Sequence, residues 1–158
     1  MIKLKVESKK AKVVFTLLAF SFLLAACAQP PSEPQPPAIA YGRDVCDACG
    51  MIISDAKFAA ATVTTDGKTF KFDDAGEMFS YHAKHPELQV RAWFAHDYNS
   101  QQWIPGSTAF YVIAKDIKSP MGTGVVAFAD KSAAETFAAK FNTRVMSFEE
   151  VRMMKPSM

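Results

Sequence analysis

The sequence predicts an α+β domain made of two small homologous strand–strand–helix–strand units packed together, preceded by a signal peptide and a proline-rich tether. Three observations predict it. Short apolar or alternating runs bounded by turn residues read as strands. Two amphipathic stretches of about ten residues read as helices. The two halves match one another at an offset of 56 residues.

The elements follow in order. Residues 58–64, Phe-Ala-Ala-Ala-Thr-Val-Thr, read as a strand, and Asp66-Gly67 is a turn signal. Residues 68–72 alternate polar and apolar as a half-buried strand does, so the two form a hairpin. A helix is expected over 75–84, with Asp73 or Asp74 capping its N-terminus and Pro86 beyond its end. Met78 falls on its apolar face and is expected in the core. Residues 90–95 are the next strand. The second half repeats the order with strands at 109–113 and 124–128, a helix at 132–141 and a last strand at 144–148. The offset pairs Phe72 with Phe128, Asp74 with Asp130, Tyr81 with Phe137, Ala83 with Ala139 and Lys84 with Lys140. The repeats span about 44–98 and 101–151, within a domain of 41–155. A unit of about 50 residues is marginal alone, so the halves are expected to share a sheet or core.

Of the 158 residues, the first 26 hold five lysines and one acid. Without them the formal charge of +2 becomes −2, with thirteen bases against fifteen acids. No net positive charge survives in the body to neutralise phosphates, so nucleic-acid binding is not the reading. Lysines up to Lys12 precede about 14 apolar residues that stop at Leu24-Ala25-Ala26-Cys27. That is the length of a signal-peptide core and short for a membrane span. Leu-Ala-Ala-Cys resembles a bacterial lipobox, which makes residues 1–26 a lipoprotein signal and Cys27 the lipidated mature N-terminus. Five of the ten residues over 28–37 are proline, the composition of an extended spacer. Residues 27–40 are therefore expected to tether the domain to a membrane of the bacterial envelope, facing the periplasm or exterior.

The chemistry-bearing residues lie elsewhere. Cys46 and Cys49 form a C-x-x-C, followed at once by Gly50-Met51. Three readings compete: a structural disulfide, a thiol–disulfide exchange protein, and a soft-metal site. Redox C-x-x-C pairs draw reactivity from a helix N-terminus in a thioredoxin-like βαβ context; here only proline-rich chain precedes the motif. Thiolates and thioethers together select Cu(I). Gly50 lets the backbone bend so that Cys49 and Met51 face one point. Met121, between Pro120 and Gly122 in a loop of breakers, is poorly placed for core packing and well placed as an exposed thioether. His82, His85 and His96 show no zinc spacing, and His82 and His85 read as solvated residues at a helix C-terminus. Asp73 and Asp74 point different ways on an extended chain, a helix cap first and an acidic contributor to the metal site second. Met153, Met154 and Met158 read as a frayed polar tail. No nucleophile elbow or phosphate loop appears, and no enzymatic activity is expected.

Together these features resemble the NosL family, accessory lipoproteins of bacterial nitrous oxide reductase. The resemblance rests on Cys27 in its lipobox, Cys49-Gly50-Met51, Phe72-Asp73-Asp74 before a helix, Phe110-Tyr111-Val112 in a strand, and Pro120-Met121-Gly122 in a loop. It implies a duplicated α+β fold and a Cu(I)-carrying protein with Cys49, Met51 and Met121 as ligands. Cys46 is a further ligand, a redox partner or a bystander. The implied partners are the reductase's maturation machinery in the envelope, a membrane transporter and periplasmic accessory proteins, and the implied task is assembly of its copper–sulfur cluster.

The leader reading makes a separable prediction. Cys27→Ser releases the protein from the membrane fraction and leaves the folded domain unchanged, because the tether carries no core residues. Fractionation and circular dichroism of the variant check it; a variant still held in the membrane fraction requires a different anchor.

Overall fold

The computed structural model of the chain describes residues 33–154. The leader, Cys27, the first part of the proline-rich segment and Met158 lie outside the described residues. Residues 33–40 carry no helix or strand. Among the described residues no helix is long and apolar enough to cross a membrane.

Strands β1 (Ala60–Thr64) and β2 (Thr69–Phe72) form the expected antiparallel hairpin around Asp66-Gly67. Helix α1 (Ala75–Lys84) follows, then β3 (Val90–His96), which returns along the far side of β1. A short strand β4 (Trp103–Pro105) adds to β3, giving a four-stranded sheet ordered β2-β1-β3-β4. The second half begins after a single 3-10 turn, Gly106–Thr108. Strands β5 (Phe110–Ile113) and β6 (Val125–Phe128) pair antiparallel, helix α2 (Lys131–Lys140) follows, and β7 (Val145–Met146) pairs with β5. The second sheet is ordered β6-β5-β7. Each half is thus a hairpin, a helix and a strand returning beside the hairpin's first strand. The mixed α/β character and the repeated topology agree with the sequence reading.

Two elements depart from it. Trp103–Pro105 is a strand where none is expected, because Pro105 disguises three residues that pair at a sheet edge. The last strand is only Val145–Met146, and the chain then enters helix α3 (Phe148–Met153). Ser147 and Glu150 form a reciprocal capping box, Ser147 Oγ accepting from Glu150 N and Glu150 Oε2 accepting from Ser147 N at 2.8 Å. Met153 is accordingly the last helical residue rather than part of a frayed tail.

Alternation along β5 and β6 divides the interior. Tyr111, Val125 and Ala127 join Phe72, Met78, Phe79 and Phe148 in the main core, which draws on both halves. Val112, Val126 and Phe128 point the other way and pack with Ala134 and Ala138 of α2. The second sheet is therefore covered on both faces, which explains why β6 is wholly buried. Helix α1 lies against β1 and β2 of its own half and also against β6 of the other. The sheets meet at Asp97, which bridges in parallel to Ala127 while its carboxylate accepts from Ala129 N at 2.9 Å and Ser100 N at 2.8 Å.

Tyr111 fills the centre of the main core, and its hydroxyl donates to Gly106 O at 2.8 Å. Tyr111→Phe keeps the volume and removes one buried hydrogen bond, so it destabilises by about 1 kcal/mol. Phe72→Ala, which opens a cavity in the same core, costs about 3–5 kcal/mol. Urea unfolding of both variants reads the contrast; equal losses would contradict this placement of the Tyr111 ring.

Candidate metal centre at the start of the first helix

Residues 40–53 fold into a hooked segment that carries the cysteines. Val45 and Ile52 bridge antiparallel, Cys46 N donates to Met51 O at 2.8 Å, and Gly50 N donates to Cys46 O at 2.9 Å. Gly50 closes the turn at φ +76°, a left-handed conformation that favours glycine. The hook is fastened to the edge of β2. Asp47 N donates to Lys71 O at 2.9 Å, Lys71 N donates to Asp47 Oδ2 at 2.6 Å, and Lys71 Nζ pairs with Asp44 Oδ2 at 2.7 Å.

This docking brings the cysteines to the first turn of α1. Sulfur atoms of Cys46 and Cys49 and carboxylate oxygens of Asp73 and Glu77 all lie within 4.8 Å of one another. Both cysteines are free thiols. Cys46 is buried and its thiol donates to Glu77 Oε2 at 3.1 Å, while Cys49 is half-buried. Met51, two residues on, is 50% exposed. The cluster therefore pairs a buried thiol with a half-buried one, and the chain reaches the surface two residues beyond Cys49.

The electrostatics favour protonated thiols in the metal-free chain. Burial raises the Cys46 thiol far above its usual range, with Glu77 adding to the rise. Cys49 is raised by burial and by the negative charges of Asp73 and Glu77. Asp73 is 1% exposed, and neither of its oxygens has a hydrogen-bond partner among the described residues. Burial first, and Glu77 beside it second, push its carboxyl up to about 7. A reactive redox C-x-x-C has the opposite environment, one that stabilises thiolate.

Asp74 turns the other way. It is the N-cap of α1, in extended conformation, and its Oδ1 accepts from Gly76 N at 2.7 Å and Glu77 N at 3.4 Å. It also reaches the loop that carries Met121, accepting from Met121 N at 3.3 Å and Thr123 Oγ1 at 2.5 Å. Met121 itself is half-buried. The sequence-predicted residues thus divide between two segments meeting at one helix terminus: Cys46, Cys49 and Met51 on the hook, Met121 on the loop.

Glu77 is the member of the cluster that the sequence alone does not single out. An acid in the first turn of a helix behind a capping aspartate reads as ordinary dipole compensation, and only the docking of the hook turns it toward Cys46. The expectation for His82 is overturned. His82 is buried, its Nε2 bonded to Thr62 Oγ1 at 2.9 Å, with Phe70, Phe72 and Trp93 around its ring. His82 lies on the face of α1 that packs on the first sheet, whereas His85, the C-cap just past the helix, is half-buried and pairs with Glu87 at 3.0 Å.

Two free thiols and two carboxylates gathered at a helix start of a duplicated α/β fold form a group that could hold a metal ion, the mark of a metal-handling protein. The NosL family model matches residues 37–155, and the chain belongs to the NosL family. It is 28% identical over 150 residues to the copper-binding lipoprotein NosL of Stutzerimonas stutzeri, a match covering 86% of this chain and 78% of that one. It also superposes on the crystal structure of the copper chaperone NosL from Shewanella denitrificans with a TM-score of 0.64, at 26% identity. That match covers 77% of this chain and 96% of that structure.

His82 supplies a pH test of the packing around α1. Burial first, and His85 second, hold it neutral down to about 4, whereas in the unfolded chain it titrates near 6.5. Between those values the unfolded state binds the extra proton, so this histidine's contribution to stability is lost as pH falls through the window. His82→Gln therefore flattens the decline of the urea midpoint between pH 6.5 and about 4 relative to wild type. Parallel slopes in the two proteins would show that His82 does not carry it.

Proposed function

We propose that the protein is a lipid-anchored extracytoplasmic Cu(I) chaperone. In this reading residues 1–26 are the export signal, Cys27 is lipidated, and residues 27–40 tether the copper-carrying domain of 41–155 to an envelope membrane. The duplicated units arise from homologous repeats. The cargo is delivered for assembly of the copper–sulfur cluster of nitrous oxide reductase, through a membrane transporter and periplasmic accessory proteins.

The observation that carries the reading is the convergence of Cys46 and Cys49 within one 4.8 Å cluster, with Met51 exposed beside them, in a NosL-family chain. Cu(I) is soft and prefers thiolate and thioether sulfur. Cys49 and Met51 bind it from the hook, Met121 from the loop, and Cys46 from the buried side. Low coordination by donors near the surface leaves a position for an incoming ligand of the acceptor, so the metal is exchanged without being stripped first. Copper here is a passenger, and the protein's work is to hold it reduced and hand it on. A thiol–disulfide exchange role loses support because burial first, and the carboxylates of Asp73 and Glu77 after it, oppose thiolate formation at Cys49.

Cu(I) affinity of the soluble domain, measured by competition with a coloured chelator in reductant, tests the assignment. Cys49→Ser causes the largest loss, since a hydroxyl is a hard, poor substitute for a thiolate. Met121→Ile causes a smaller one, deleting one neutral thioether and keeping bulk. X-ray absorption of the loaded domain is expected to show a sulfur-dominated shell. A shell of nitrogen and oxygen alone would sink the proposal.

A further inference from the structure

Resting on the reading of Met121 as a copper ligand, we propose that Asp74 is a positioning residue of the copper site, the latch that holds Met121 in reach of the metal. A helix cap needs only one carboxylate oxygen and is normally solvated. Asp74 is fully buried and serves two segments at once. Oδ1 accepts from the α1 backbone at Gly76 and from the Thr123 hydroxyl, and Oδ2 accepts from Met121 N. Its counterpart in the second repeat, Asp130, is exposed and accepts only from within its own helix start, Ala133 N at 2.8 Å and Ser132 Oγ at 2.7 Å.

The loop is built to be held at one point. Its base is fixed to the β5–β6 hairpin, with Ala114 N donating to Gly124 O at 3.2 Å. Gly124 has φ +67°, and a Cβ there would fall 2.0 Å from Ala114 O, so the two backbones lie in direct contact. Within the loop, Gly122 N donates to Ser119 O and Gly124 N to Ser119 Oγ, each at 3.0 Å. A loop stiffened in this way moves as a unit about its base, and Asp74 joins its outer part to α1. Gly76 permits the approach: a Cβ at that position would lie 2.4 Å from Thr123 Oγ1 and 2.6 Å from Thr123 Cβ. Asp73, one residue earlier, faces the cysteines. Consecutive residues on an extended chain point to opposite sides, so the Asp73-Asp74 pair sets the thiol side and the thioether side of the site from one stretch of backbone.

The test separates cap from latch. Asp74→Asn retains an N-capping acceptor, because asparagine caps helices as well as aspartate. Its amide keeps the oxygen that accepts from Gly76 N and the Thr123 hydroxyl, but puts an NH2 donor where Oδ2 accepts from Met121 N, so the direct hold on Met121 is lost. Thr123→Val leaves Asp74 and the cap untouched and removes the hydroxyl. Both variants, Met121→Ile and the Asp74→Asn/Met121→Ile double variant are loaded with Cu(I) in reductant, and affinity is read by chelator competition. In parallel, methyl-13C methionine NMR follows the Met121 methyl resonance. Asp74→Asn and Thr123→Val are each expected to lose affinity to the extent Met121→Ile does, about tenfold. The copper-induced shift of the Met121 methyl shrinks in both, and the double variant is no weaker than Met121→Ile alone. If Met121→Ile weakens binding while Asp74→Asn and Thr123→Val bind as wild type, Met121 remains a ligand and the latch is wrong. Additive losses in the double variant would also overturn it, since Asp74 would then act on the site by another route. If Met121→Ile binds as wild type, the ligand reading fails and takes the latch with it.

Discussion

A single buried carboxylate, that of Asp74, receives hydrogen bonds from four donors, two on the first turn of α1 and two on the 119–124 loop. A buried carboxylate is tolerated only when its oxygens are satisfied, and removing part of such a network leaves the remainder uncompensated. The fold is arranged so that those donors arrive together. Helix α1 must start at residue 75, the β5–β6 hairpin must present its loop to that start, and position 76 must lack a side chain. Because α1 also packs against β6, the same contacts that satisfy Asp74 lock the two repeats into one core. Stability and site geometry are therefore the same requirement at this helix end.

The duplication clarifies how such a site is built. Both repeats place an aspartate at the N-cap of their helix, 56 residues apart, and both helices have the same length. In the second repeat that end is exposed and capped locally. In the first it is covered on one side by the cysteine hook fastened to β2 and on the other by the Met121 loop of the second repeat. A helix N-terminus carries a partial positive charge and unpaired N–H groups. Here Asp74 answers both, which leaves Asp73 and Glu77 free to face the thiols. The asymmetry between the repeats comes from what packs on the helix end, while the helix itself is unchanged.

Much of this was legible in the sequence where one principle acted alone. The hairpin at Asp66-Gly67 follows from turn chemistry, α1 from its cap and periodicity, and β6 from an apolar run. Where two principles competed, the sequence was ambiguous. Residues 144–148 have strand character, yet the Ser147-x-x-Glu150 box overrides it from Phe148 onward. His82 sits near a helix C-terminus where a solvated imidazole is the ordinary outcome, but its face of the helix packs on the first sheet. Among the proposed copper ligands, Cys49, Met51 and Met121 stood out because their neighbours made other roles awkward. Glu77 and Gly76 gave no such signal. Each sits on a regular helix, and what distinguishes it is a partner brought from more than 30 residues away, Cys46 in one case and Thr123 in the other.

The arrangement also bears on how a carrier holds a soft ion and still surrenders it. Cys46 is buried, Cys49 half-buried and Met51 50% exposed, so the proposed donors run from interior to solvent. The inner thiol donates to Glu77 Oε2, and its backbone is tied into the hook by bonds with Met51 and Gly50. On the proposed assignment the outer donors are the neutral thioethers of Met51 and Met121, weaker than a thiolate, each next to a glycine at positive φ. An acceptor approaching from solvent meets the weak donors first. It can replace them one at a time while the thiolates keep the metal bound, so no step exposes a naked ion to water. Burial first, and the acidic groups beside the thiols second, favour protonated cysteines in the metal-free chain.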